Sequence, residues 1–220
     1  MLIDKDMKKI LLLGDSIRMG YDKYVKDALE GVAEVYYPEE NCKFAQYLLR
    51  FLRDWKAVGK WPDDIDLVHW NAGLWDIVEL FGEPPLTIEA QYAEMVRRID
   101  KTLRMFFPKA KIVFATSTTI VEELFRPDFM RHNDTIKRYN DIALEVFDGK
   151  GVIVNDLFTY SKTLPQVCRS DKTHFNTPEG REAMGKRVLS VICAELGIDA
   201  KEINLEDFIP ENYSEKNIGN

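Results

Sequence analysis

Five short apolar runs alternate along this chain with longer stretches of helical periodicity, and that alternation limits the folds open to it. The runs are Ile10–Leu13, Ala33–Tyr37, Ile65–Asn71, Lys111–Thr116 and Val152–Asn155. Their continuous Ile, Leu, Val and Phe content suits strands buried on both faces rather than strands with one wet face. Between and after them lie helical patterns at Met19–Glu30, Phe44–Lys56, Ile88–Phe106, Thr135–Phe147 and Pro178–Leu196. In the third pattern Tyr92, Met95, Val96, Ile99, Leu103 and Phe106 recur every three or four residues, which marks one buried helix face. Asn176-Thr177-Pro178 signals the last helix start, with a capping hydroxyl followed by proline in the first turn. Strand–helix alternation requires crossover connections and therefore parallel strands. The expected architecture is an α/β, flavodoxin-like, three-layer α/β/α sandwich with a mostly parallel five-stranded sheet.

At 220 residues the chain is long enough for one domain with a full core. That domain is read over residues 1–196, with a polar tail at 197–220 whose role is open. A net charge of −7 argues against a nucleic-acid or anionic-membrane partner. No segment reaches the roughly 20 apolar residues of a membrane helix. The acidic start Met1-Leu2-Ile3-Asp4-Lys5-Asp6 does not look like a secretory signal, so a cytoplasmic location is expected. Cys42, Cys168 and Cys193 form no CxxC pair, which suggests packed thiols rather than a disulfide framework or a zinc site. Asp63, Asp64 and Asp66 read as a solvated turn before a strand rather than a metal cluster. No phosphate-binding glycine motif is present, and neither a metal nor an organic cofactor is expected.

In a parallel α/β sheet, ligands bind beyond the carboxyl ends of the strands. The first strand, Leu11-Leu12-Leu13, ends there in Gly14-Asp15-Ser16-Ile17. A serine hydroxyl is a weak nucleophile until a base takes its proton, and the base is usually a histidine held by an acid. The chain has three histidines. His69 lies within a predicted strand and reads as a core residue. His132 opens a helix and reads as a solvated helix-start residue. His174 lies in Asp171-Lys172-Thr173-His174, where a carboxylate three residues upstream can reach its Nδ1 and leave Nε2 free.

A Gly-Asp-Ser turn near the N-terminus followed by Asp-x-x-His near the C-terminus resembles the SGNH/GDSL hydrolase superfamily. Asn71-Ala72-Gly73-Leu74-Trp75-Asp76 is similar to its third block, usually G-x-N-D, and Asn140 in the helix 133–147 to its penultimate region. The resemblance implies Ser16 as nucleophile, His174 as general base and then acid, and Asp171 as the group that orients His174. It implies the Ser16 backbone N–H as first oxyanion donor and a second backbone donor near Cys42, in the loop Pro38–Lys43. Asp15 is expected to tie the turn together. The third block departs from the family: Trp75 stands where an asparagine amide would donate to the oxyanion. Asn71 or Asn41 then supplies the amide, or backbone donors near Ser16, Cys42 and Gly73 suffice, or the site has lost activity. Trp75, Phe125 and Phe129 are candidates for the pocket wall. The implied function is a serine esterase for a small or carbohydrate ester, such as an acetylated sugar. A lipid ester, a thioester or an acyltransferase reaction on the same triad is one alternative. A binding protein without catalysis is the other.

Overall fold

A computed structural model describes residues 7–204. Five parallel strands, β1 (Lys8–Leu13), β2 (Ala33–Tyr36), β3 (Leu67–Trp70), β5 (Lys111–Ala115) and β7 (Ile153–Asn155), form one sheet in the order β2-β1-β3-β5-β7. Two short strands, β4 (Glu79–Leu80) and β6 (Phe129–Met130), pair antiparallel outside it. The helices are α1 (Ser16–Ala28), α2 (Ala45–Val58), α3 (Glu89–Phe106), α4 (Asn133–Phe147), α5 (Leu157–Thr163) and α6 (Pro178–Leu196). Helices α1 and α6 pack together, while α2 packs on α3 and α3 on α4. Right-handed crossovers place these two groups on opposite faces of the sheet, so the expected three layers are observed.

The first strand runs through the middle of this arrangement. Ile10, Leu11, Leu12 and Leu13 are each fully buried, contributing roughly 1.5–3 kcal/mol apiece on leaving water. Leu13 registers with Trp70 of β3 and Leu11 with Tyr36 of β2. The chain leaves β1 toward β2 on one side and later returns to add β3 on the other. The direction of winding reverses between β1 and β3, which opens a crevice at their carboxyl ends. Residues 14–16 and 71–73 directly follow these two strands.

Helix α1 starts at Ser16, three residues before the periodic pattern signals it. Asp15 caps it by accepting the Ile17 N–H at 3.0 Å, so the strand passes into the helix through a turn of only two residues. Helix α6 has the start its sequence signals and the 178–196 span of its periodic pattern. Thr177 accepts the Gly180 N–H at 3.0 Å, and Gly197 ends the helix in the left-handed region at φ 66°. Helix α5 and the β4–β6 pair are too short for a periodic signal and are absent from the sequence reading. The first residues of the tail lie on the body, where the Lys201 N–H donates to the Ala28 carbonyl. The rest of the tail, from 205 on, lies outside the described residues. No helix among the described residues is long and apolar enough to cross a membrane.

Candidate active site

Ser16 is the first residue of α1, directly beyond β1, and its side chain is almost buried. Its Oγ lies 2.8 Å from His174 Nε2. His174 Nδ1 lies 2.8 Å from Asp171 Oδ2. The other oxygen of Asp171 accepts the N–H of Thr173 at 2.7 Å and that of His174 at 2.8 Å. One carboxylate therefore folds the loop 171–174 around itself and fixes the imidazole edge-on. Partial burial would raise the Asp171 carboxyl, but the His174 ring and the two N–H donors hold it well below the usual range. The imidazole is thus tethered through Nδ1 and presents Nε2 to the serine hydroxyl.

The turn that carries Ser16 is fixed by close approach. A Cβ on Gly14 would lie 1.9 Å from Asn71 Oδ1, so the Asn71 amide packs where any larger residue would need space. Gly73 is similarly confined, since its Cβ would lie 2.5 Å from Ser117 Oγ. Asn140 clamps Ser117 from α4, accepting its N–H at 2.8 Å and donating to its carbonyl at 3.1 Å. Tyr92 donates to the Ala72 carbonyl at 2.8 Å. The loops after β3 and β5 are therefore held by side chains from two helices.

The expected oxyanion donors divide. As the first helical residue, Ser16 has a backbone N–H that the helix leaves without an intrahelical acceptor. The Cys42 N–H is spent: it donates to the Gly14 carbonyl at 3.1 Å. Cys42 is also fully buried, which pushes its thiol up to about 11. Cys42 is a brace for the serine turn, which corrects its assignment to the oxyanion hole. Asn41 turns its Oδ1 onto the Lys43 N–H at 2.8 Å and lies outside the cleft lining. Asn71 and Gly73 are buried and do not line the cleft. Arg18, buried on α1, holds the loop after β2 by donating to the carbonyls of Pro38 and Glu40 at 3.0 and 2.7 Å.

Ser16, His174 and Asp171 open onto a cleft of about 690 Å³ whose lining also includes Trp75, Phe129 and Arg131. Trp75 and Phe129 line this cleft. Phe125 is buried behind the wall, its ring parallel to that of Phe129 with centroids 6.5 Å apart. Arg131 and Lys172, neither of them a site candidate from sequence, also line the cleft. The guanidinium carbon of Arg131 lies 5.2–5.9 Å from the ring centroids of Phe129, Trp75 and Phe125. Burial pushes Arg131 down to about 10, against the pull of Asp15 and Asp171. Desolvating such a charge costs several kcal/mol, and each cation–π contact returns only about 0.5–2 kcal/mol. The signal available in sequence was a cation directly after the apolar pair Phe129-Met130, in the segment after the fourth main-sheet strand.

The other titratable candidates have structural tasks. His69 is fully buried against Asn155, and burial pushes it down to about 3. His132 is more than a solvated helix start, because its Nδ1 lies 2.6 Å from Glu122 and closes the loop onto α4. Asp63, Asp64 and Asp66 each take a lysine partner, Lys56, Lys9 and Lys8 respectively. Asp76 is buried, and both its oxygens lie within 3.2 Å of the Ala45 N–H at the start of α2. Burial pushes Asp76 up to about 7, against the Ala45 N–H and Thr87.

No protein-family model matches the chain, and no curated protein matches it in sequence. Its fold does match solved structures. A lipase/acylhydrolase from Enterococcus faecalis aligns over 90% of this chain and 100% of its own, with a TM-score of 0.65 and 21% identity. A GDSL-like lipase from Bacteroides thetaiotaomicron aligns over 84% and 87%, with a TM-score of 0.64 and 15% identity. An acetyl xylan esterase aligns over 84% and 99%, with a TM-score of 0.62 and 17% identity. The chain has the three-layer α/β/α fold of the SGNH/GDSL hydrolases, the superfamily its end motifs resemble.

Proposed function

We propose that this chain is a serine hydrolase of the SGNH/GDSL type that cleaves a small carboxylic ester through an acyl-enzyme. The observation that carries this reading is the continuous hydrogen-bonded line from Ser16 through His174 to Asp171, opening onto a cleft. Ser16 Oγ attacks the ester carbonyl carbon while its proton passes to His174 Nε2. The resulting oxyanion faces the Ser16 N–H and the positive end of α1, whose macrodipole favours negative charge there. Collapse expels the alcohol, which takes the proton from Nε2 and leaves the acyl group on Ser16. Water then attacks that acyl group, giving its proton to Nε2. The second tetrahedral intermediate releases the acid and returns the proton to Ser16 Oγ. Asp171 stays ionised throughout and stabilises the imidazolium in each half-reaction.

The cleft volume lies within the usual range for small-molecule sites. Its aromatic wall, and the likeness to an acetyl xylan esterase, support a short acyl group on a carbohydrate or similarly compact alcohol. Trp75 is assigned to that wall rather than to the oxyanion. The direct test is hydrolysis of p-nitrophenyl acetate by the native chain and by Ser16→Ala. Turnover by the native chain that disappears in the variant supports the reading. Equal rates in both would remove it.

A further inference from the structure

We propose that the cleft recognises an ester carrying a negatively charged group, with Arg131 as the main anchor and Lys172 as a second cation. This deepens the serine-esterase reading and rests on it. Arg131 is only 6% exposed, yet its guanidinium makes no hydrogen bond or ion pair with any described residue, and its Nε is buried without a partner. Buried cations are normally paired, and the two carboxylates that pull on Arg131 form no ion pair with it, although one oxygen of Asp15 is itself buried without a partner. Asp15 caps α1, and Asp171 holds His174. The Lys172 ammonium sits 4.2 Å from the Phe125 ring centroid and also forms no ion pair among the described residues. Two uncommitted cations thus face one cleft in a chain whose net charge is −7.

The aromatic surround accounts for the position of Arg131 and leaves its charge without a carboxylate. A guanidinium cradled by rings keeps its in-plane N–H groups available, and that edge matches a carboxylate or phosphate through paired hydrogen bonds. Apolar filling of the same space needs no charge, since Met or Leu would supply comparable packing without desolvating a cation. The missing partner is therefore assigned to the substrate, as a carboxylate or a phosphate on either its acyl or its alcohol half.

Four esters separate these sources: neutral phenyl acetate, 4-acetoxybenzoate, phenyl hemisuccinate and 4-acetoxyphenyl phosphate. They place no anion, a carboxylate on the alcohol, a carboxylate on the acyl group, and a phosphate on the alcohol. Each kcat/KM is divided by the ester's rate with hydroxide to remove intrinsic reactivity. At least one anionic ester is expected to exceed phenyl acetate by about 10- to 100-fold, the size of one charge-assisted hydrogen bond. In Arg131→Gln that ratio should fall close to one, with the change carried mainly by KM. Arg131→Lys, which keeps the charge, should retain part of the ratio, and Lys172→Met should lower it less than Arg131→Gln. Circular dichroism of each variant establishes that it is folded. A native enzyme without anionic preference overturns the proposal. So does a preference that survives Arg131→Gln, including the case in which all four esters slow equally. A chain that cleaves phenyl acetate without anionic preference overturns the anion site alone. One that cleaves no ester removes the esterase reading as well.

Discussion

Ser16 Oγ and His174 Nε2 are 2.8 Å apart although 158 positions separate the two residues. The packing of α1 on α6 brings these two chain segments together. If the pair works as a unit, Ser16→Ala and His174→Ala should each lower kcat on p-nitrophenyl acetate by about 10⁴-fold or more, and the double variant should lose little further. Losses that multiply in the double variant would mean that the two side chains act separately. Asp15 remains the cap of α1 in Ser16→Ala, so thermal stability should change by less than about 0.5 kcal/mol.

Asp171→Asn should fold, because an amide oxygen can still accept the N–H groups of Thr173 and His174. It cannot carry the charge that stabilises an imidazolium, so kcat should fall by about 10²- to 10⁴-fold. The loss should lie toward the smaller end, since the Asp171 side chain is 48% exposed and water can partly replace it. Steady-state kinetics on the neutral ester measures this directly. A variant with native kcat would detach Asp171 from the chemistry.

Asp76 gives the fold a pH dependence of unusual sign for a carboxylate. Its pKa in the folded protein is about 7 because it is buried, whereas an unfolded aspartate titrates near 3.9. Between those values the folded chain holds a proton that the unfolded chain has released. Stability from this group is therefore fully present below about pH 4 and is lost as pH rises through 7, by a few kcal/mol in total. Urea unfolding of the native chain and Asp76→Asn from pH 4 to 8 isolates the effect. The native chain should weaken relative to the variant as pH rises. A pH-independent difference would show that Asp76 is ionised throughout.

Gly14→Ala should be severely destabilising. The added methyl would meet Asn71 Oδ1 at 1.9 Å in a turn that also receives the Cys42 N–H. Overpacking at such sites costs about 1–3 kcal/mol, and the displaced turn should take Ser16 out of line with His174. Thermal melts and turnover should therefore both fall. A variant that melts like the native chain would show that Asn71 yields freely.

Much of this was legible in the sequence for local reasons. Buried parallel strands have no polar face, so Ile10–Leu13 and Lys111–Thr116 stood out as continuous apolar runs. The Thr177-Pro178 start of α6 is a backbone signal that few other residue pairs give. Asp171 and His174 lie within one turn of chain, so their spacing alone suggested the contact that the fold makes. What was hidden depends on distant packing. Cys42 was expected near the oxyanion, but its N–H is consumed by the Gly14 carbonyl, a bond between the loops after β2 and β1. Arg131 carried no spacing signal, because its surroundings come from Trp75, Phe125 and Phe129 on two separated segments.

The most direct test of Ser16 as nucleophile is a fluorophosphonate probe applied to the folded native chain, with the modified peptide located by mass spectrometry. One phosphonyl group per chain on Ser16, absent from Ser16→Ala and strongly reduced in His174→Ala, is the expected result. An unlabelled folded chain, or label on another residue with Ser16 untouched, would contradict the assignment of Ser16 as the nucleophile.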